Sequence, residues 1–264
     1  MTVQIMTTGD GCKLAYRWDG PEGAPIVILS NSLGTDLTMW DELVANLQGE
    51  FRFLRYDTRG HGGSDAPGGS YGLDRLGRDV LELMDALNVD RVHFCGLSLG
   101  GMIAQWLGIR AESRLTSLAI VNSSAFMGPA SGWDARIDLV REKGMVSITD
   151  AILERWFTAP FLAENGAAVQ AAKRILLATN PHGYAGCCAA VRDMDMHPIL
   201  SLIKSPTMIV AGERDPATPK SHSEELAAKI PGARLRSLPS AHLSSMELPD
   251  MLSDILLNWF KSRH

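Results

Sequence analysis

The stretch RVHFCGLSLGGMIAQWLG, residues Arg91–Gly108, decides how this chain folds. Its beginning, Arg91 to Cys95, predicts a short strand, and Met102 to Ile109 predicts a helix. Between them, Gly96-Leu97-Ser98-Leu99-Gly100 fits the pattern G-x-S-x-G. A serine on such a sharp strand-to-helix turn has a strained backbone, and the residues two positions away must be small to let the chain segments pass. The stretch predicts Ser98 as a nucleophile, the alternative being a glycine-rich turn with a capping serine.

A serine hydroxyl needs a base near neutral pH, and the base needs an orienting carboxylate. His242 is predicted as the base, because it follows the last predicted strand, Arg234 to Leu238, and can reach the carboxyl edge of the sheet. The acid is expected between serine and histidine in chain order. Asp215, after the predicted strand Thr207 to Ala211, fits this place, and Glu213 is the alternative.

The negative charge that develops in acyl transfer requires backbone donors. One is expected directly after the nucleophile and the other in the loop after an early strand. Pro25 to Ser30 predicts that strand, and the loop that follows is Asn31–Asp36. Position alone therefore predicts the backbone N–H groups of Leu33 and Leu99 as the two oxyanion donors.

Strand-like and helix-like segments alternate over the first half of the chain and again near its end. This rhythm predicts an α/β fold with a mostly parallel sheet and helices on both faces. A hairpin is expected at the start, from Val3 to Trp18, with its turn at Gly9-Asp10-Gly11. The amphipathic helix is clearest at Leu73 to Leu87, where apolar residues recur at helical spacing.

The alternation stops after Ser123. From there to about His197 only helical patterns occur, which predicts a helical cap inserted between two strands. The expected division is a core made of residues 1–124 and 198–264 and a cap of residues 125–197.

Composition excludes several classes of protein. The 264 residues are 45% hydrophobic and 21% charged, as in an ordinary globular chain. A formal net charge of −5 argues against a nucleic-acid partner. No apolar run approaches the roughly 18 residues that a membrane helix needs, so no membrane partner is expected.

The four cysteines show no disulfide or zinc-ligand spacing, which favours reduced, packed thiols and no metal site. The residues before Cys12 lack the features of a secretory signal. The expected location is therefore the cytoplasm.

Two further motifs carry a resemblance to the α/β-hydrolase superfamily. Asp57-Thr58-Arg59-Gly60-His61-Gly62-Gly63-Ser64 is similar to its D-x-R-G-x-G-x-S loop, and Gly212 to Pro219 resembles its acid-bearing loop. The resemblance extends over essentially the whole chain. It implies an eight-stranded, mostly parallel sheet with helices on both faces and an inserted helical cap, and it implies Ser98, Asp215 and His242 as nucleophile, orienter and base.

Five segments resemble the 3-oxoadipate enol-lactonases of the bacterial β-ketoadipate route of aromatic catabolism. They are Ser30–Trp40, Tyr56–Asp65, Gly96–Gly108, Gly183–Asp195 and Ser240–Glu247. Asn31-Ser32, where many superfamily members have His-Gly, favours this narrower resemblance. It implies hydrolysis of a small anionic lactone to 3-oxoadipate through an acyl-enzyme, without a cofactor. The oligomeric state is left open.

An acidic protein needs a local cation to bind an anionic substrate. Arg192, in the resembling cap segment, is the first candidate, with Arg59 and His61 as alternatives. Trp133 and Trp156 are expected to line the pocket.

Other functions remain open at this point. A carboxylesterase or a carbon–carbon bond hydrolase of the same superfamily would use the same three side chains. A non-catalytic ligand-binding relative could keep the fold without the reaction.

Overall fold

Eight strands form a single sheet in the computed structural model, which describes residues 2–263. The strands are β1 Gln4–Thr7, β2 Lys13–Asp19, β3 Ile26–Ser30, β4 Arg52–Tyr56, β5 Val92–Leu97, β6 Leu115–Val121, β7 Thr207–Gly212 and β8 Arg234–Leu238. Their order is β1-β2-β4-β3-β5-β6-β7-β8. β1 and β2 pair antiparallel, as do β2 and β4, and the other five pairings are parallel. The predicted fold class is therefore confirmed.

Helices cover both faces of this sheet and fill the segment between β6 and β7. They are α1 Asp41–Leu47, α2 Leu73–Ala86, α3 Leu99–Arg110, α4 Ala130–Lys143, α5 Thr149–Trp156, α6 Ala159–Glu164, α7 Ala167–Ala178, α8 Pro181–Asp193, α9 Lys220–Lys229, α10 Ser244–Glu247 and α11 Pro249–Lys261. Short 3-10 turns occupy Leu37–Trp40, Glu112–Arg114, Met145–Ser147 and His197–Leu202. Within residues 2–263, no helix has the length and apolar character required to cross a membrane.

The bounds of β5 and α3 differ from the prediction, and the difference matters for the site. β5 continues to Leu97 and α3 begins at Leu99, so a single residue, Ser98, separates them. The prediction gave a helix over Met102 to Ile109, and in the structure the helix also includes Gly100 and Gly101, although glycine disfavours helix. Tertiary packing overrides that preference. A β-carbon at Gly100 would overlap the carbonyl oxygen of Ser30, and one at Gly96 would overlap that of Gly100.

Among the helices between β6 and β7, α8 contacts the loop that follows β4. The backbone N–H of Tyr71 donates to the carbonyl of Gly186 at 3.0 Å. The thiol of Cys187 donates to the carbonyl of Arg59 at 3.5 Å. All four cysteines are free and buried. α8 is therefore packed as part of the molecule's core.

Asp57, in the loop after β4, is a buried carboxylate held only by backbone donors among the described residues. It accepts from Leu37 N–H at 2.6 Å and from Gly63 N–H at 2.8 Å. Burial raises the pKa of Asp57 to about 7, against the effect of these two hydrogen bonds. Its contribution to stability is therefore complete below the unfolded pKa of about 4 and is lost as the pH rises through about 7.

We expect this carboxyl to lower the free energy of unfolding by about 4 kcal/mol between pH 4 and pH 8. In Asp57→Asn this pH-dependent fall in the free energy of unfolding should disappear. The variant should also be less stable than wild type at pH 5, because one of the two backbone donors loses its acceptor. Urea unfolding at several pH values measures both effects, with the exposed Asp254→Asn as control. Parallel pH curves for wild type and Asp57→Asn would contradict the assignment.

Candidate active site

Ser98 lies at the sharp turn between β5 and α3 with φ 57° and ψ −111°, a conformation that non-glycine residues rarely adopt. The surrounding backbone holds it there. Ser98 N–H donates to the carbonyl of Val121 at 2.9 Å, and the Ser123 hydroxyl donates to the carbonyl of Ser98 at 2.8 Å. Gly100 N–H donates to the carbonyl of Asn31 at 3.0 Å. The hydroxyl is thus presented at the carboxyl edge of the parallel strands.

His242 and Asp215 approach the same edge from the loops after β8 and β7. The His242 Nδ1 lies 2.8 Å from the Asp215 Oδ2. A carboxylate is an acceptor, so this contact places the imidazole proton on Nδ1 and leaves Nε2 as the basic nitrogen. Glu213, the alternative acid, is exposed, and the geometry favours Asp215.

The Asp215 carboxylate is held by a full set of donors. Its Oδ1 accepts from the backbone N–H groups of Ala217 at 2.7 Å and Thr218 at 2.9 Å. Its Oδ2 accepts from the Thr218 hydroxyl at 2.7 Å and the Asn122 amide at 3.0 Å. Burial opposes ionisation, but the attraction and hydrogen bond of His242 and the Thr218 donors outweigh it and hold the pKa of Asp215 below its usual range. The carboxylate therefore stays ionised.

Ser98 and His242 line one cavity, and the predicted backbone donors border it as well. Leu33 and Leu99 both contribute to its wall. Neither of their N–H groups donates a hydrogen bond to another group in the described part of the chain. An oxygen that becomes negative beside Ser98 would find two free donors there.

The cavity is small, and its wall includes side chains from the helices between β6 and β7. The volume open to the centre of a water molecule is about 70 Å³. Trp133 of α4 and Trp156 of α5 lie in the wall, where the sequence predicted them, together with Tyr184 of α8. Within residues 2–263, no group of three or more His, Cys, Asp or Glu side chains is placed to hold a metal ion.

The sequence suggested three side chains as ligands of the substrate carboxylate, and all three lie outside this cavity. Arg192 lies in the last turn of α8, where it forms ion pairs with Asp134 at 2.8 Å and Asp193 at 2.7 Å. Arg59 is buried in ion pairs with Asp79 at 2.6 Å and Asp10 at 3.0 Å.

His61 is also buried, and its two nitrogens face backbone groups. None of the three side chains lines the cavity. The choice of Arg192 and Arg59 as substrate ligands is therefore corrected, because carboxylates of the protein already occupy both guanidinium groups.

Two arginines that the sequence analysis missed line the cavity instead. They are Arg136 of α4, which is half-buried, and Arg155 of α5, which is exposed. Both also line a neighbouring outer cavity of about 370 Å³, which shares Trp133 with the inner one. No carboxylate of the described residues lines either cavity. In a chain with net charge −5, this is a local region of positive charge.

Asn122 was also missed. It follows β6 with φ 44°, and its amide donates to Asp215 and to the Ala241 carbonyl at 3.2 Å. The sequence did carry a signal for Asn122, because it is a polar residue directly after the apolar run of β6, at the carboxyl edge of the sheet. For Arg136 no such signal existed, because helical spacing does not reveal which neighbour a half-buried face will contact.

Comparison with known proteins agrees with this architecture. Residues 25–143 match the alpha/beta hydrolase fold family. The chain is 38% identical over 258 residues to 3-oxoadipate enol-lactonase 1 of Acinetobacter baylyi, covering 98% of this chain and 97% of that protein. Relatives at 28–31% identity include putative carbamate hydrolases.

Two solved structures are similar over nearly the whole chain. A hydrolase from Pseudomonas aeruginosa PA01 is 46% identical with a TM-score of 0.96, covering 98% of each chain. The enol-lactonase from Burkholderia xenovorans LB400 is 38% identical with a TM-score of 0.95, covering 98% of this chain and all of that one. Because relatives at 38% identity match it over nearly its whole length, this chain belongs to the α/β-hydrolase superfamily and is similar to the 3-oxoadipate enol-lactonases.

Proposed function

We propose that this protein hydrolyses 3-oxoadipate enol-lactone, a small ring ester with one free carboxylate, to 3-oxoadipate. The observation that carries the proposal is a single cavity that joins Ser98 and His242 to two arginines and no carboxylate. The similarity to enol-lactonases supports the choice of ester.

In the proposed mechanism, Nε2 of His242 takes the proton of Ser98 as its Oγ attacks the lactone carbonyl. The N–H groups of Leu33 and Leu99 stabilise the oxyanion, and Asp215 stabilises the imidazolium. The ring C–O bond then breaks and expels an enolate. A proton from the His242 imidazolium converts the enolate to the ketone and returns His242 to its neutral form. His242 next deprotonates a water molecule, which attacks the acyl-enzyme and releases the second carboxylate with regeneration of Ser98.

Arg136 is the proposed ligand of the substrate carboxylate. Its guanidinium carbon lies 4.8 Å from the centroid of the Trp133 ring, and the Trp133 indole N–H donates to the Met127 carbonyl at 2.6 Å. Trp133 is thereby fixed and in turn positions the guanidinium. Arg155, exposed at the outer cavity, would attract the anion before it enters.

We further propose that residues 125–197 act as a cap over a core of residues 1–124 and 198–264. The tryptophans of α4 and α5 and the tyrosine of α8 in the cavity wall support this division, because they restrict the space at Ser98 and exclude bulk water. The four free, buried thiols fit a reducing compartment, which supports a cytoplasmic location. Hydrolysis of the enol-lactone would place the protein in the β-ketoadipate route.

The proposal predicts a preference for the negative charge of the substrate. Arg136→Met should raise KM for the enol-lactone about 10- to 100-fold, since a charged hydrogen bond contributes roughly 1.5–3 kcal/mol. The same variant should leave KM for p-nitrophenyl acetate unchanged. Steady-state kinetics on both substrates measures the difference.

Arg192→Met is the matched control, because Arg192 also lies between β6 and β7 but is paired with protein carboxylates. It should leave both KM values unchanged. Wild-type rates should also be compared for the enol-lactone, its neutral methyl ester, neutral aryl esters and an alkyl carbamate. Equal or faster turnover of the neutral esters would favour a general carboxylesterase, and faster turnover of the carbamate would favour the activity suggested by the more distant relatives.

A further inference from the structure

The loop that carries the Leu33 donor is anchored firmly at its beginning. The Asn31 amide nitrogen donates to the Tyr56 carbonyl at 2.9 Å, and the Trp40 indole N–H donates to the Asn31 amide oxygen at 2.9 Å. Two residues later the chain must present the Leu33 N–H to the cavity. The direction of the Leu33 N–H also depends on the contacts of the residue that follows it, Gly34.

On the far side, the loop is anchored by a buried imidazole. Gly34 N–H donates to Nε2 of His61 at 2.9 Å. Gly34 has φ +84°, in the left-handed region that glycine adopts without strain. The turn over Leu33 and Gly34 is also closed by Thr35, whose N–H and hydroxyl donate to the Ser32 carbonyl at 3.2 and 2.7 Å. The Thr179 hydroxyl donates to the Gly34 carbonyl at 3.4 Å, a longer and weaker contact.

Both nitrogens of His61 require the same tautomer. Nε2 must be unprotonated to accept from Gly34, and Nδ1 lies 3.3 Å from the Arg59 carbonyl, which can only accept. The ring is therefore neutral with its proton on Nδ1. Burial lowers the pKa of His61 to about 4, against the effect of the Arg59 carbonyl, which agrees with this state.

The same imidazole contacts the cavity wall. Its ring centroid lies 6.4 Å from that of Tyr184 on α8, and Nδ1 lies 4.0 Å from the Cys187 sulfur. His61 therefore packs between α8 and the loop of the expected donor. It does not itself line the cavity, so a direct role toward substrate is not available to it.

We propose that His61 is a positioning residue for the oxyanion hole: by accepting the Gly34 N–H, it fixes the direction of the Leu33 N–H. This inference rests on the proposed hydrolytic function. Loss of the acceptor should weaken stabilisation of the tetrahedral intermediate while leaving ground-state binding of substrate at Arg136 intact.

The test compares His61→Leu, His61→Asn and His61→Gln in the full-length protein. We expect His61→Leu to lower kcat about 10- to 100-fold, less than the 10²- to 10³-fold typical when an oxyanion donor is itself removed. KM should change little. Affinity for phenylboronic acid, whose adduct with Ser98 is tetrahedral, should fall by a similar factor. Glutamine can place an amide oxygen near the position of Nε2 and should restore most of kcat, whereas the shorter asparagine should not.

His93→Asn is the matched control. His93 is another buried imidazole, near the amino end of β5, and its Nδ1 contacts the Ser117 hydroxyl at 2.7 Å. This variant should lower the thermal midpoint without lowering kcat, so kcat separates positioning from general destabilisation.

Wild-type kcat and boronate affinity in folded His61→Leu would overturn the inference. If that variant does not fold, equal kcat values for His61→Asn and His61→Gln would overturn it. A wild-type protein that neither turns over esters nor binds the boronate would instead overturn the proposed function, and the inference with it.

Discussion

Replacing Ser98 by alanine is expected to lower kcat/KM for the enol-lactone about 10⁴- to 10⁶-fold while the protein remains folded. The reason is that Ser98 supplies the nucleophile that attacks the lactone in the proposed mechanism, so its loss also makes the base and the orienting carboxylate ineffective. Alanine tolerates φ 57° about as well as serine does. The Ser98 N–H that donates to Val121 and the Ser98 carbonyl that accepts from the Ser123 hydroxyl remain in the variant, because neither bond involves the Ser98 hydroxyl.

Kinetics, a thermal melt and labelling by a fluorophosphonate measure these effects together. Wild type should gain one phosphonyl group on Ser98, and Ser98→Ala should gain none. Ser245→Ala is the control, because Ser245 is a buried serine whose hydroxyl has no partner among the described residues. Turnover by Ser98→Ala close to that of wild type would remove the nucleophile assignment, and an unlabelled but folded wild type would favour a non-catalytic ligand-binding relative.

Replacing Asp215 by asparagine is expected to lower kcat about 10³- to 10⁴-fold with little change in KM. The donors around Asp215 determine how the amide must lie. Oδ1 accepts from two backbone N–H groups, so the amide oxygen stays at that position and the NH₂ group takes the place of Oδ2. That NH₂ group then faces Nδ1 of His242 as a donor.

The consequence is a change of tautomer. Nδ1 becomes the acceptor, the imidazole proton moves to Nε2, and Nε2 can no longer take the proton of Ser98. Asparagine differs from aspartate only by an NH₂ group in place of one oxygen, at nearly the same volume. The thermal midpoint should therefore change little, although kcat falls by orders of magnitude.

Glu213→Gln is the matched control, because it neutralises the neighbouring and exposed acid of the same loop. It should leave kcat unchanged. A large loss of kcat in Glu213→Gln, with wild-type kcat in Asp215→Asn, would transfer the role of orienting acid to Glu213.

The sheet was predictable because its signals are local. Short apolar runs that turns bound on both sides, such as β3 and β6, are typical of buried strands. Their alternation with helices predicts that the strands pair in parallel. The bounds of single helices between β6 and β7 were less accessible: α6 has only six residues, too few for a helical period to show. The pairing of His242 with Asp215 was accessible for a related reason, because the carboxyl ends of parallel strands meet at one edge.

The amino-acid order alone was therefore sufficient for the sheet, for the Ser98 turn and for the short set of residues that could act there. It was not sufficient for the groups that surround a substrate. Arg192 and Arg136 are alike as residues, and only folding shows that carboxylates from two segments neutralise the first while the second faces a cavity without any. Cation availability and the direction of a backbone N–H depend on neighbours distant in the chain, and local propensity carries no information about them.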